Sequence, residues 1–194
     1  MVQKIKNIAS VIQFKITYGI IVWLFLLTTT NSNLIAQSNI EEYDVKKIMI
    51  FKITSFIEWP ENSNIKNSQN PVIISIIGDN PFKGKLKKLA TDQHKIKNKR
   101  VIVRNIQSID EINGSNILFI SSSERYDIST ILKYTHNKAI LTIGDAKGYT
   151  EKGVMIGLIQ RGENIKFYIN KKEADQCGFY ISSQLLGNAI KVIK

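Results

Sequence analysis

Short runs of β-branched, apolar residues that alternate with more polar, helix-like segments constrain the fold of this chain most strongly. Four such runs are "VIISII" at 72–77, "RVIVRNI" at 100–106, "SNILFI" at 115–120 and "KAILTIGD" at 138–145. Continuous apolar runs of this length are typical of strands that are covered on both faces. Strands that alternate with helices form a parallel sheet with right-handed crossovers. We therefore predict a single three-layer α/β domain, a mostly parallel sheet flanked by helices, similar to a flavodoxin-like or Rossmann-like sheet.

The segments on either side of this alternation predict further elements. Apolar side chains near a 3.6-residue period predict an amphipathic helix that stops before Pro60, with Val45, Ile48, Met49, Ile53, Phe56 and Ile57 on its buried face. "GVMIGLIQ" and "NIKFYIN" flank residues 161–163, which predicts a β-hairpin. "KKEADQCG" and "ISSQLLGNAIKVIK" predict closing helices, the last capped by Ser182 or Ser183.

The first 36 residues have the order of a secretory signal peptide. Lys4, Lys6 and Lys15 precede an apolar run of 12 residues, Ile16 to Leu27, and a polar stretch that ends in "LIAQ". A bilayer span needs about 20 apolar residues, so we predict cleavage rather than membrane anchoring. Residues 1–36 are then the signal peptide, with Gln37 as the alternative last residue, and residues 37–194 are one exported domain.

Charge and cysteine content narrow the partners further. Three of the 27 basic residues lie in the predicted signal peptide, and the remaining 24 exceed the 16 acidic residues by eight. Export makes nucleic acid an improbable partner despite this positive charge. Cys177 is the only cysteine, so no intramolecular disulfide forms. We predict a buried structural thiol, with an intermolecular bridge in a dimer as the alternative.

Polar residues follow three of the predicted strands. In open parallel sheets, ligands bind outside the carboxyl ends of the strands, and these tips would gather at one edge. The candidate small-molecule ligands are therefore Asp79, Asn80, Ser121, Ser122, Ser123, Glu124, Arg125 and Asp145. Arg125 has two further interpretations: it pairs with Glu124 or Asp127, or it contacts an acidic partner.

Each tip also has a simpler structural interpretation. Ser121 to Glu124 has the S-x-x-E pattern of a capping box, which predicts the start of a helix. Asn80 precedes Pro81, and this pair suits the cap and first turn of another helix. Asp79 and Asp145 are turn or cap residues under this interpretation.

The sequence lacks the motifs and spacings of the common catalytic and metal sites. It has no G-x-S-x-G elbow, no P-loop and no G-x-G-x-x-G. Its two histidines, His94 and His136, and its one cysteine are not at metal-ligand spacing. We predict a protein that is not an enzyme, with no catalytic residues, no metal and no cofactor.

The order of several motifs carries a resemblance to a known family. "YDVKKIMIFKITSFIEWP", "ISIIGDNPF", "ILFISSSE", "ILTIGD", "GVMIGLI", "IKFYIN" and "GFYISSQLL" follow one another from Tyr43 to Leu186. Together they resemble the YfiR-like family of exported bacterial proteins. The most specific pair is "FIEWP" at 56–60 with "ISSQLL" at 181–186.

The resemblance implies a periplasmic α/β domain, often a homodimer, that acts as a repressor. Such a domain binds the periplasmic part of an inner-membrane diguanylate cyclase and holds it inactive, so that its release raises cyclic-di-GMP and promotes biofilm formation. A histidine kinase or another sensor is the alternative partner. A periplasmic small-molecule sensor or carrier, with its ligand at the carboxyl edge of the strands, is the alternative function.

Two departures limit what the resemblance carries over. Redox-responsive members have paired cysteines, whereas this chain has Cys177 alone. The family commonly has an Asn-aromatic pair after "GVMI", and this chain has Gly157-Leu158. Trp59 and Pro60, with Phe82, are our candidate partner contacts, because aromatic residues beside a helix end frequently anchor interfaces. The alternative is that Trp59 closes the core.

Overall fold

The computed structural model describes residues 31–92 and 94–194, with the backbone alone for residues 31–41. Residues 42–194 form one compact unit. The strands are β1 (Ile57–Glu58), β2 (Val72–Ile77), β3 (Val101–Ile106), β4 (Ile117–Ile120), β5 (Leu141–Gly144), β6 (Ile156–Arg161), β7 (Asn164–Asn170), β8 (Tyr180–Ile181) and β9 (Lys191–Ile193). The α-helices are α1 (Asn31–Ser55), α2 (Lys85–Thr91), α3 (Ile128–Thr135), α4 (Lys171–Gln176) and α5 (Ser183–Asn188), and 3₁₀ turns span Asn64–Lys66 and Ile109–Ile112.

The central sheet has seven strands in the order β3-β2-β4-β5-β6-β7-β9. Strands β3, β2, β4, β5 and β6 are parallel to their neighbours, β6 and β7 form an antiparallel hairpin, and β7 pairs with β9 in parallel. Strands β1 and β8 form a separate antiparallel pair. The predicted mostly parallel α/β sheet and its hairpin are confirmed.

Apolar side chains cover both faces of this sheet, which gives the three layers. In β4, Ile117 and Phe119 belong to one buried cluster, while Leu118 and Ile120 belong to the other. Successive residues of a strand point to opposite faces, so the two clusters lie on opposite sides of the sheet. Helices α1 and α2 contribute to the first cluster and α3 to the second. The alternation of buried strands with helices is therefore sufficient to predict this layering.

The buried face of α1 differs from the predicted one. Val45 and Ile48 are 46% and 54% exposed, and Ile50, which was not predicted on this face, is buried. Ile53 is buried as predicted. Apolar residues occur on more than one side of this helix, so their period alone does not say which side meets the sheet. The helix also ends at Ser55, before β1, rather than just before Pro60.

The C-terminus departs from the predicted closing helix. Helix α5 ends at Asn188, and Lys191–Ile193 then form an edge strand beside β7. Ser182 caps α5 as predicted, since its hydroxyl accepts a hydrogen bond from the Leu185 amide at 3.3 Å. The β-branched Val192 and Ile193 suit the strand that follows.

Candidate functional site

The carboxyl edge of the parallel strands brings the predicted polar tips together. Strands β2, β4 and β5 are neighbours in the sheet, and Asp79, Ser121 and Asp145 follow them. The Asp79 amide donates to Ser123 Oγ at 2.8 Å, and the Ser122 amide donates to Asp145 Oδ1 at 2.7 Å. The Oγ atoms of Ser121 and Ser123 are 3.0 Å apart. The polar groups of the three tips therefore form hydrogen bonds with one another.

Helix α1 adds residues to this edge that the sequence did not predict. Tyr43 Oη donates to Asp145 Oδ2 at 2.5 Å, and Lys46 Nζ lies 3.4 Å from the same oxygen. Lys46 also pairs with Glu42 one turn earlier. The side chains of Lys46 and Asp145 are 2% and 0% exposed. We call Glu42, Tyr43, Lys46 and Asp145 the carboxyl-edge cluster.

Burial sets the electrostatics of this cluster. Desolvation raises the pKa of Tyr43, and the hydrogen bond to Asp145 raises that pKa further, so the phenol stays protonated and donates to the carboxylate. Lys46 neutralises the buried charge. Within the described residues, every buried side-chain nitrogen or oxygen has a hydrogen-bond partner. The cluster therefore joins α1 to β5 with its polar atoms satisfied internally.

A sequence signal for this cluster existed in α1. Lys46 precedes Ile50 by four residues and Ile53 by seven, so it shares their buried face. A lysine on a buried stripe needs a carboxylate partner. The sequence shows that need without showing which carboxylate meets it, because Asp145 lies 99 residues further along the chain.

The serine loop does not start a helix, so the predicted capping box is wrong. Helix α3 begins at Ile128 with Asp127 as its cap, while Glu124 accepts from the amides of Arg125 and Tyr126 at 2.7 and 2.8 Å. A Cβ on Gly78 would lie 3.1 Å from the Glu124 amide nitrogen. The chain thus crosses closely over Gly78 before it turns into the helix. The capping box forms instead in the turn at Ile109–Ile112, between Ser108 and Glu111.

Asn80 shapes a turn rather than capping α2. Its Oδ1 accepts from the Phe82 amide at 3.0 Å, and its Nδ2 donates to Asn105 Oδ1 at 2.8 Å. The helix begins later, at Lys85, after Gly84 in the left-handed conformation. Asn80 therefore lies at the edge, as predicted, while its amide contacts neighbouring protein groups. Arg125 is exposed.

The loop after β5 covers the next part of the edge. Gly144 and Gly157 are partners in the register of β5 and β6. A Cβ on Gly144 would lie 2.6 Å from Tyr149 Cδ2, and one on Gly157 would lie 2.9 Å from Thr150 Cγ2. These side chains need the space above both glycines. Gly157 therefore serves packing between the loop and the sheet.

The aromatic residues predicted to contact a partner lie inside the protein. Trp59 is 3% exposed, donates from Nε1 to the Asn116 carbonyl at 3.3 Å and packs edge-on against Phe179. Phe82 is 1% exposed and packs against Tyr43 and Phe119. Trp59 thus closes the core, the alternative that the sequence left open. Burial removes both rings from the surface, and Pro60 packs beside Gly178.

Apolar surface is exposed instead along α1. Val45 and Ile48 are exposed on α1. The next turns of the same helix line a groove of ≈ 460 Å³ between α1, β7 and α5. The groove is lined by Met49, Lys52, Ile53, Phe56, Lys166, Phe167, Gln184, Leu185 and Asn188. Its charged lining residues are lysines. We call Val45, Ile48 and this groove the α1 surface.

Most of the predicted signal peptide, residues 1–30, lies outside the described residues, and its cleavage site falls within the span of α1. Among the described residues, no helix combines the length and apolarity needed to cross a bilayer.

Comparisons with known proteins give similar solved structures and one matching family model. Two solved structures are similar: a conserved domain protein from Vibrio cholerae O1 biovar El Tor str. N16961 and the ABC domain in complex with L-Trp from Streptococcus pneumoniae. The first has 14% identity and a TM-score of 0.47, and the match covers 66% of this chain and 57% of that one. The second has 13% identity and a TM-score of 0.48, with coverage of 63% and 55%. The chain thus matches little more than half of either protein, and neither likeness bears on function.

No curated protein matches the chain. The family model described as YfiR/HmsC-like matches residues 43–189. This range includes β1 to β8 and all but the N-terminal part of α1. The predicted family is therefore confirmed: the chain belongs to the YfiR/HmsC-like family.

Proposed function

We propose that this protein is an exported, periplasmic regulator that represses a membrane-bound signalling protein by binding it. The partner is an inner-membrane diguanylate cyclase, with a histidine kinase as the next candidate. Family membership over residues 43–189 is the observation that carries this proposal. The predicted signal peptide agrees with it, because an exported domain meets the periplasmic part of such a sensor.

Binding without catalysis fits the chemistry of the carboxyl edge. Ser121 Oγ lies beside Ser123 Oγ, and a serine nucleophile needs a positioned base. His94 packs against Phe51, and His136 lies after α3 near Glu173.

A binding partner shifts a two-state sensor only by its differential affinity for the two states. Moving the sensor from about 99% active to about 99% inactive needs a preference of about 10⁴-fold.

The α1 surface is the proposed contact for the sensor. Val45 and Ile48 are exposed apolar residues one turn before Met49 and Lys52 on the same helix, and these two residues line a groove whose charged lining residues are Lys52 and Lys166. Apolar surface of this kind marks interaction sites. The lysines favour a partner segment with carboxylates beside its apolar residues. We therefore expect an amphipathic, acidic segment of the sensor to occupy the groove.

The carboxyl edge supports the small-molecule alternative less well. Asp145 is fully buried as a side chain and contacts Tyr43, Lys46 and the Ser122 amide. A ligand there would have to replace these internal contacts. The α1 surface, in contrast, exposes apolar groups without such a cost.

The test is a crosslinked pull-down from the native host with the tagged protein, followed by inhibition of the captured enzyme in membranes. We expect a membrane cyclase or kinase in the eluate. Ile48→Asp should weaken its binding at least about 30-fold, as expected for an interface anchor worth about 2 kcal/mol. Tyr126→Asp is the matched control, because Tyr126 is also an exposed apolar residue but lies near the serine loop.

Three outcomes would contradict parts of this proposal. An eluate without a membrane signalling protein would oppose the repressor function. Loss of binding in Tyr126→Asp alone would move the contact to the carboxyl edge. A change of oligomeric state in Ile48→Asp, measured by light scattering, would show that a second copy of this chain covers the α1 surface.

A further inference from the structure

Three potential metal ligands that are far apart in the sequence meet near the end of α3. Their ligand atoms are His136 Nδ1, a Glu173 carboxylate oxygen and Cys177 Sγ, and all lie within 4.8 Å of one another. His136 Nδ1 is 3.5 Å from Glu173 Oε1, and Cys177 Sγ is 3.6 Å from the same oxygen. Sequence spacing predicted no metal site, because the 36 residues between His136 and Glu173 hide this proximity. We call these three residues the amino-edge cluster.

The local fold explains why the three side chains converge. His136 ends α3, and its chain enters β5 from the amino end. Asn170 caps α4 by accepting from the Glu173 amide at 2.9 Å. Glu173 and Cys177 are four residues apart across α4 and its cap, so they share one face. The antiparallel strand β7 carries α4 to the amino edge of β5, where His136 lies.

Two of the three separations match those of ligands around one tetrahedral ion. Zinc lies about 2.0–2.1 Å from nitrogen, 2.0–2.2 Å from carboxylate oxygen and 2.3 Å from sulfur. Tetrahedral geometry then separates the ligand atoms by about 3.3–3.7 Å. The observed 3.5 and 3.6 Å fall in this range. The remaining pair, His136 Nδ1 and Cys177 Sγ, lies within 4.8 Å, so zinc would draw these two atoms closer together.

The kinds of donor atom select the metal. Calcium and magnesium prefer oxygen ligands alone. A set of imidazole nitrogen, carboxylate oxygen and thiolate sulfur suits zinc, which binds all three. The negative charges of Glu173 and a Cys177 thiolate would neutralise the charge of the ion.

We propose that His136, Glu173 and Cys177 form a zinc-binding site. On binding, the Cys177 S–H bond breaks, its proton passes to solvent and a sulfur–zinc bond forms. The fourth position stays open to water, as in sites with three protein ligands. The ion joins the end of α3 to α4, and the proposal does not depend on the proposed repression.

The test is titration of the full exported protein, purified without a histidine tag, with Zn²⁺ and with Co²⁺. We expect one ion per chain and a thiolate-to-cobalt charge-transfer absorption band. Zn²⁺ should raise the midpoint of thermal unfolding, because a ligand that binds only the folded state stabilises it. Cys177→Ser should abolish the band.

Substitution of each ligand measures its contribution to zinc affinity. Loss of a residue that only orients a ligand lowers metal affinity about 10–100-fold. Cys177→Ser and His136→Gln remove ligands themselves, so each should lower zinc affinity by more than about 100-fold. Glu173→Gln should have a smaller effect, because an amide oxygen still binds weakly. His94→Gln is the matched control and should bind Zn²⁺ like the natural chain, because His94 packs against Phe51 instead.

Several results would overturn the proposal. A cobalt complex without the charge-transfer band would exclude Cys177 as a ligand. Equal loss of affinity in His94→Gln and His136→Gln would indicate nonspecific surface binding. Zn²⁺ that leaves the unfolding midpoint unchanged at saturation would exclude a site that joins the two helices.

Discussion

The carboxyl-edge cluster and the amino-edge cluster each join residues distant in the sequence, but they differ in burial. Lys46 and Asp145 have side-chain exposures of 2% and 0%, and Tyr43 donates to the same carboxylate. The side chains of His136 and Glu173 are 47% and 22% exposed. The first cluster satisfies its own polar atoms inside the protein. The second keeps its ligand atoms within reach of solvent and of an added ion.

This difference separates a structural polar cluster from a binding site. A buried charge costs several kcal/mol to desolvate, so its partners must already be present in the folded protein. Partly exposed groups such as His136 and Glu173 carry a smaller cost, so they remain available to a new ligand. Both clusters contain a carboxylate beside a nitrogen-bearing side chain, Lys46 in the first and His136 in the second. Burial, rather than the kind of residue, therefore decides which one holds the fold together.

The largest expected effect breaks the carboxyl-edge cluster. Asp145→Ala should lower the free energy of unfolding by about 3–5 kcal/mol, because it removes the buried carboxylate that Tyr43 and the Ser122 amide share and leaves Lys46 with Glu42 alone. Urea unfolding of metal-free protein measures this change. Glu173→Ala is the comparison and should cost less than about 1 kcal/mol, as expected of an exposed pair.

A milder variant keeps this test usable if Asp145→Ala fails to fold. Tyr43→Phe removes only the hydroxyl that donates to Asp145, and should cost about 1.5–3 kcal/mol, the range for hydrogen bonds to charged groups. Equal stability losses in Tyr43→Phe and Glu173→Ala would contradict the distinction between the two clusters.

An intermediate effect tests the packing beside Asp145. Gly144→Ala should lower the free energy of unfolding by about 1–3 kcal/mol, because the new Cβ would lie 2.6 Å from the Tyr149 ring. Gly187→Ala in α5 is the control, since no described atom lies within 4 Å of its Cβ position. It should be neutral or stabilise by less than about 1 kcal/mol. A neutral Gly144→Ala would show that the loop after β5 moves easily.

The smallest effect concerns Asp44, a partly exposed carboxylate two residues from Lys46. Its hydrogen bonds to Lys47 and Lys85 hold its pKa below the usual value. The folded pKa is lower than the unfolded pKa, so the stabilisation is present above about pH 4 and is lost as the pH falls through the folded pKa. Asp44→Asn should cost at most about 1 kcal/mol at pH 7 and nothing at about pH 2.

Urea unfolding of both proteins at each pH, with and without added salt, measures this contribution. Salt should reduce it, because the pair is exposed. A cost in Asp44→Asn as large as in Asp145→Ala would mean that pairing, rather than burial, governs both sites.

Part of the candidate site could be predicted from sequence. Because β2, β4 and β5 are parallel neighbours, their polar tips had to meet, and Asp79, Ser122, Ser123 and Asp145 do meet. The local structure of the same tips was mispredicted. The same S-x-x-E pattern forms a turn at Ser121 and a capping box at Ser108. The close crossing over Gly78 separates the two cases, and it is a tertiary contact.

The sequence by itself determined the family and the α/β layering of this protein. Both follow from the order of apolar runs and polar tips along the chain, and each run can be recognised from its own short segment. The tertiary structure alone decided which face of α1 is buried, that Trp59 lies in the core, and which carboxylate meets Lys46. It also decided that His136 meets Glu173 and Cys177. These pairings depend on how distant segments pack, and local periodicity contains no information about residues that lie tens of positions away.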